Sequence, residues 1–281
     1  MWKWILVGFL VLLLVVGAGS FYVYRSNKAL YMSDEEILRS YQPAEAVADI
    51  VEKTKMTDHG KAVFYRSDPH FVDIETFKKA CAGGGGREPL GCYGTKLGGT
   101  PRITLLQIDD PKFSDGKYFI AAHEMLHAAF FRMSEAEKDE VSRLVQPEFL
   151  KRQDDAHLVD IALSYQDDGV IRVVNELHSY LATEYADLSA ELEEHYKKYF
   201  NDRQSVVDLY NKSGYGSRVK QIDQLTAEGT ALYKKIEARE YGYEELIPQY
   251  NAKARQADKL WKEIEEYYTL YNPSYTPLEA K

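Results

Sequence analysis

The chain has no concentrated block of lysine and arginine: 35 basic residues are scattered among 44 acidic ones, for a formal charge of −9. With nothing to track a phosphate backbone, nucleic acid is not expected as a partner. Cysteine is nearly absent, only Cys81 and Cys92 being present, which excludes a small disulfide-stapled scaffold. No repeat of solenoid length is found, and the four glycines at 83–86 lack the Gly-Lys-Ser/Thr ending of a phosphate-binding loop. What is present is 45% apolar and 13% aromatic residues in 281. That is enough for one substantial core, with or without a smaller helical appendage, and too much for a disordered chain.

Charge is also missing from residues 4–24. A helix of about 20 residues at about 1.5 Å each spans a bilayer core of roughly 30 Å, so this stretch is expected to be a transmembrane anchor. Trp2, Trp4, Tyr22 and Tyr24 suit the two interfaces, and Lys3 and Arg25 bracket the span. The alternative is a signal peptide cleaved near Gly17-Ala18-Gly19-Ser20, giving a secreted protein, but the apolar run exceeds the usual ~7–15-residue signal core. Flanking charges balance and leave orientation open. Cys81 and Cys92 flank the glycine-rich stretch, and a disulfide between them would favour an extracytoplasmic domain.

Three regions are expected: the anchor (1–27), a catalytic-type domain (28–200) and a helical C-terminal region (201–281). Helical spacing over 33–55 predicts a helix opened by the capping box Ser33/Glu36 and broken near Pro43. Lys61–Tyr65 and Arg102–Ile108 read as strands. From Tyr118 on, helices are expected over about 116–132, 135–145 (capped by Ser134/Glu137), 155–165 and 170–200. A last helical region, about 218–270 and interrupted near Gly242 and Pro248, has the pattern of a hairpin or short coiled coil and could bind a partner. The fold class is α+β, with a small, mostly antiparallel sheet beside one central helix.

That central helix carries His123-Glu124-Met125-Leu126-His127. Histidines four apart share one helix face and can hold one zinc ion. Glu124 can take a proton from a zinc-activated water and return it to a leaving amine. The remaining faces, Phe119, Ile120, Ala122, Leu126, Ala129, Phe130 and Met133, are those of a buried helix. The strand Arg102–Ile108 just upstream resembles in its place the edge strand with which a zincin pairs an extended substrate.

A third ligand is needed. A histidine six residues past His127 would follow one pattern, but Met133 stands there. The stretch Asn175-Glu176-Leu177-His178-Ser179-Tyr180 begins 48 residues past His127, on a predicted helix. HEMLH and NELHSY together resemble the gluzincin clan of zinc metallopeptidases, with Asn175, Glu176 and Ser179 matching the thermolysin-like NExxSD pattern. The resemblance covers those two motifs only. It implies His123, His127 and Glu176 as zinc ligands and Glu124 as catalytic base and acid. Tyr180 stands where the family has the aspartate that supports a zinc-binding histidine, leaving that role open to Glu184 or Asp187. Glu184, about two turns from Glu176, rivals it as ligand, and His178 is a weaker rival. His59, His70, His157 and His195 read as ordinary packed or solvated histidines. Tyr180, Tyr185 and His178 are candidate donors to an oxyanion. The expected function is zinc-dependent hydrolysis of a peptide or protein substrate at a membrane. The competing expectation is an inactive, zincin-like scaffold.

Overall fold

The computed structural model describes residues 16–17, 19, 28–81, 90–94, 102–237 and 243–271. Over these the chain is α+β and mostly helical, with one three-stranded mixed sheet. The expected anchor, apart from Val16, Gly17 and Gly19, lies outside the described residues. Among the described residues no helix is long and apolar enough to cross a membrane.

The body begins with helices α1 (Lys28–Tyr31), α2 (Asp34–Ser40), α3 (Glu45–Lys53) and α4 (Asp58–Arg66). Both halves of the capping box at α2 form: Glu36 N donates to Ser33 Oγ at 3.2 Å, and Ser33 N to Glu36 Oε2 at 2.7 Å. Residues 41–44 around Pro43 separate α2 from α3 as expected. The strand expected at Lys61–Tyr65 is instead part of α4. Thr57 caps this helix by accepting from Gly60 N at 3.0 Å, and Ala62, Val63 and Phe64 are all buried. A helix covered on most sides reads as a short apolar run, so its period is lost from the sequence.

Strand β1 (His70–Val72), helix α5 (Ile74–Cys81), and strands β2 (Gly91–Gly94) and β3 (Arg102–Leu106) follow. The order is β1-β3-β2, with β1 parallel and β2 antiparallel to β3. The sheet is therefore mixed, and Arg102–Leu106 is its centre, not the edge strand expected. Burial explains this: Ile103 and Leu105 face one core and Leu106 another, around Phe77 of α5. Strands covered on both faces carry continuous apolar runs. β1 and β2, three and four residues long, are too short to show a strand period in the sequence. Cys81 and Cys92 form the expected disulfide, tying the end of α5 to β2 with a Cα–Cα separation of 5.9 Å.

Helices α6 (Gly116–Arg132), α7 (Glu135–Lys151), α8 (Ala156–Ser164), α9 (Val170–Glu184), α10 (Ala190–Tyr196) and α11 (Gln204–Lys212) complete the main body. Helix α6 is central: α4, β2, β3, α9 and α11 all pack on it, and Ala121, Ala122, Ala128 and Ala129 let them approach closely. Helix α11, past the boundary expected at residue 200, contributes Val206 and Tyr210 to this same core. The single helix expected over 170–200 is two. Arg203 divides it by donating to the carbonyls of Ala182 (2.9 Å), Tyr185 (2.7 Å) and Ala186 (3.0 Å), satisfying the C-terminal end of α9. Ser189 then caps α10.

Helices α12 (Gly214–Glu237) and α13 (Tyr243–Tyr271) pack on each other as a hairpin. Arg218 pairs with Glu263 and Lys253 with Glu228, an order that makes them antiparallel. Pro248 lies inside α13 and does not end it.

One seam closes the body across the chain. Thr57 donates its N–H to the carbonyl of Tyr199 at 2.9 Å and its hydroxyl to that of Lys198 at 2.6 Å. A Cβ on Gly60 would stand 2.3 Å from Tyr199 O. Gly60→Ala should therefore lower stability by about 1–3 kcal/mol in urea denaturation, although alanine is the better helix former by about 1 kcal/mol. An unchanged midpoint would mean that the seam yields.

Candidate metal centre

Helix α6 presents His123 and His127 on one face, one turn apart, with ring centroids 4.6 Å apart. Helix α9 brings Glu176 to them: its Oε2 lies 3.4 Å from His127 Nε2 and 3.9 Å from His123 Nε2. One donor atom from each residue falls within 4.8 Å of the others. Tetrahedral donors about 2.0–2.1 Å from zinc stand roughly 3.3–3.5 Å from one another, a spacing that His127 and Glu176 meet and to which His123 would have to close. The side chains are 12%, 11% and 4% exposed, so the group is almost fully buried.

The surroundings orient the donors. His127 Nδ1 is 3.0 Å from Asn175 Oδ1 and 3.3 Å from Ser179 Oγ. An Nδ1–H donated to Asn175 turns Nε2 towards Glu176, where it can bind a metal once its own proton is lost. Tyr180 stands edge-on to His123 with centroids 4.6 Å apart. Burial alone would depress the His127 pKa, but Glu176, Glu124 and Asn175 outweigh it and raise the pKa to about 9. Burial likewise favours a neutral Glu176, and the two imidazoles overcome it, holding the carboxyl well below its usual range.

Glu124 is 4% exposed. Burial raises its pKa, a tendency opposed by His127 and His123 and reinforced by Glu176. A buried carboxyl whose pKa is raised, beside a candidate metal site, is suited to moving protons. Gly91 of β2 lies directly against it: a Cβ there would meet Glu124 Cγ and Ile120 Cγ2, both at 2.8 Å.

The other expected residues are elsewhere. Glu184 lies outside the group formed by His123, His127 and Glu176; its Oε2 is 3.0 Å from Nε2 of buried His157. Asp187 supports no histidine; it is exposed, and its carbonyl accepts from Arg152. Tyr185 gives its hydroxyl to Asp155 at 2.9 Å and is no oxyanion donor. His178 is buried on another face of α9, its Nε2 3.0 Å from His195 Nε2. Of the donors considered, Tyr180 alone stands at the centre.

Two residues were not anticipated. Arg172 Nη2 lies 3.2 Å from Glu176 Oε1, and its guanidinium sits 5.2 Å from the centroid of Tyr165. The four-residue spacing of Arg172 and Glu176 was the available signal. Nothing local marks Tyr165. The chain matches no family model, and comparison with curated proteins and with solved structures finds no match.

The His178/His195 pair predicts acid sensitivity. Burial, then Lys198, lowers the His195 pKa to about 4, and burial, then His195, lowers that of His178. The unfolded chain, with histidine near 6.5, binds protons that the native pair refuses. Stability is then fully present above about pH 6.5 and is lost as pH falls towards 4, by on the order of 3 kcal/mol through His195. His195→Gln should flatten that fall in urea midpoints; equal slopes for variant and wild type would refute the assignment.

Proposed function

We propose that the protein is a zinc-dependent peptidase. The observation that carries this reading is the convergence of His123, His127 and Glu176 with buried Glu124 alongside. A purely structural site has no use for such a carboxylate. His123, His127 and Glu176 would hold the metal. Zinc, when bound, would supply Lewis acidity to a peptide carbonyl and to water. Glu124 accepts the proton of the attacking water and delivers it to the departing amine. Tyr180, beside His123, is the residue available to donate to the oxyanion.

The sheet supports a peptide as substrate. Among the described residues β2 has β3 on one side and no strand on the other, and it runs past Glu124 at Gly91. An extended chain can pair with such an edge, main chain to main chain. The Cys81–Cys92 disulfide supports a domain outside the cytoplasm, retained there by the uncharged segment 4–24. The α12/α13 hairpin offers a surface to a partner.

Metal analysis of the purified chain tests the reading directly. One zinc per chain in wild type and none in His123→Ala is the expected result; a folded wild type that takes up no zinc would sink it. Glu124→Gln should keep the zinc while slowing casein hydrolysis about 10²–10⁴-fold. Retained hydrolysis in that variant would remove Glu124 from the mechanism. Gly91→Val should likewise keep the zinc and lower hydrolysis about tenfold or more, since displacements near 1 Å cost up to about 10². Full activity would mean that Glu124 moves aside freely.

A further inference from the structure

The two oxygens of Glu176 have different partners. Oε2 faces His127 and His123 at 3.4 and 3.9 Å, while Oε1 is 3.2 Å from Arg172 Nη2. The carboxylate is thus shared between a metal-ligand set on one side and a guanidinium on the other. Arg172 is in the first turn of α9, one turn before Glu176, and the two side chains lie on the same helix face. Its guanidinium also lies over the ring of Tyr165, which limits where it can swing.

A carboxylate can bind a divalent ion through one oxygen or two. The choice matters because a catalytic zinc site needs a fourth position left for water or substrate. A second oxygen from Glu176 would compete for that position. Nothing else among the described contacts of Glu176 engages Oε1.

We propose that Arg172 is a positioning residue that holds Oε1 of Glu176 away from the metal, so that Glu176 binds through Oε2 alone and one coordination position stays open. This rests on His123, His127 and Glu176 being a metal centre. Arg172 touches the ligand and not the reacting atoms, and its effect passes entirely through the carboxylate. Lysine at 172 can still pair with Glu176 across one turn, whereas alanine or glutamine leaves Oε1 without a charged partner.

Cobalt(II) reports coordination number, since four-coordinate sites absorb visible light more strongly than five-coordinate ones. The full chain and its R172A, R172Q and R172K variants would be titrated with Co²⁺ and the absorption per bound ion measured, with circular dichroism to check folding. Wild type and R172K are expected to give the strong spectrum. R172A and R172Q are expected to bind one cobalt per chain with absorption reduced about twofold or more. A spectrum in folded R172A or R172Q equal to that of wild type overturns the proposal, and R172Q decides it if R172A does not fold. So does R172K as weak as R172A. Wild type that binds no cobalt overturns the metal centre itself and this inference with it, whereas normal uptake with unchanged spectra overturns this inference alone.

Discussion

The register of α9 on α6 is the constraint on which the centre depends. Two donors belong to one helix and the third to another, so a shift of α9 by one residue would turn Glu176 about 100° away from the imidazoles. Apolar packing brings the helices together but tolerates sliding. The direction is fixed by polar contacts: Asn175 and Ser179, either side of Glu176, both reach His127 Nδ1. At the far end of α9, Arg203 grips the carbonyls of Ala182, Tyr185 and Ala186 and pairs with Glu193. The ligand helix is thereby pinned at its middle and at its end.

Charge inside the protein is arranged in separate compartments. Glu124, Glu176 and Arg172 surround His123 and His127, Glu184 pairs with His157, and His178 with His195. All lie on or against α9, on different faces. A buried carboxylate or imidazole without a partner is costly, so committing Glu184 and His195 elsewhere also keeps them from competing for the metal-ligand set. His178 Nδ1 is buried without a hydrogen-bond partner, which makes that pair the weakest of these arrangements.

What the sequence disclosed follows from how local each signal is. The helix carrying HEMLH was legible to the residue because its periodic apolar faces and its two histidines are set by one helix alone. The capping boxes at Ser33 and Ser134 were legible for the same reason. Glu176 was legible through the NELHSY resemblance, while its rival Glu184 could be rejected only once His157, 27 residues earlier, was seen beside it. Helix α4 is hidden in the sequence because burial on several sides erases its period, and the order of the sheet because both faces of β3 are covered. The end of α9 was missed because the residue that ends it, Arg203, is beyond the next helix. Errors of this kind share a cause: the deciding partner lies far along the chain.

The seam between residues 55–60 and 198–201 has a consequence for the order of assembly. Besides the bonds of Thr57, the N–H of Asn201 reaches Lys55 O at 2.8 Å, and Met56 bridges Phe200. Closing this contact fixes a loop of some 140 residues, a late and entropically costly event. On the ribosome, residues 55–60 are synthesised long before 198–201, so their half of the seam stays open until residue 201 has emerged. His123, His127 and Glu176, all made by residue 176, can meet before that closure, so assembly of the candidate centre and completion of the core are separable in time.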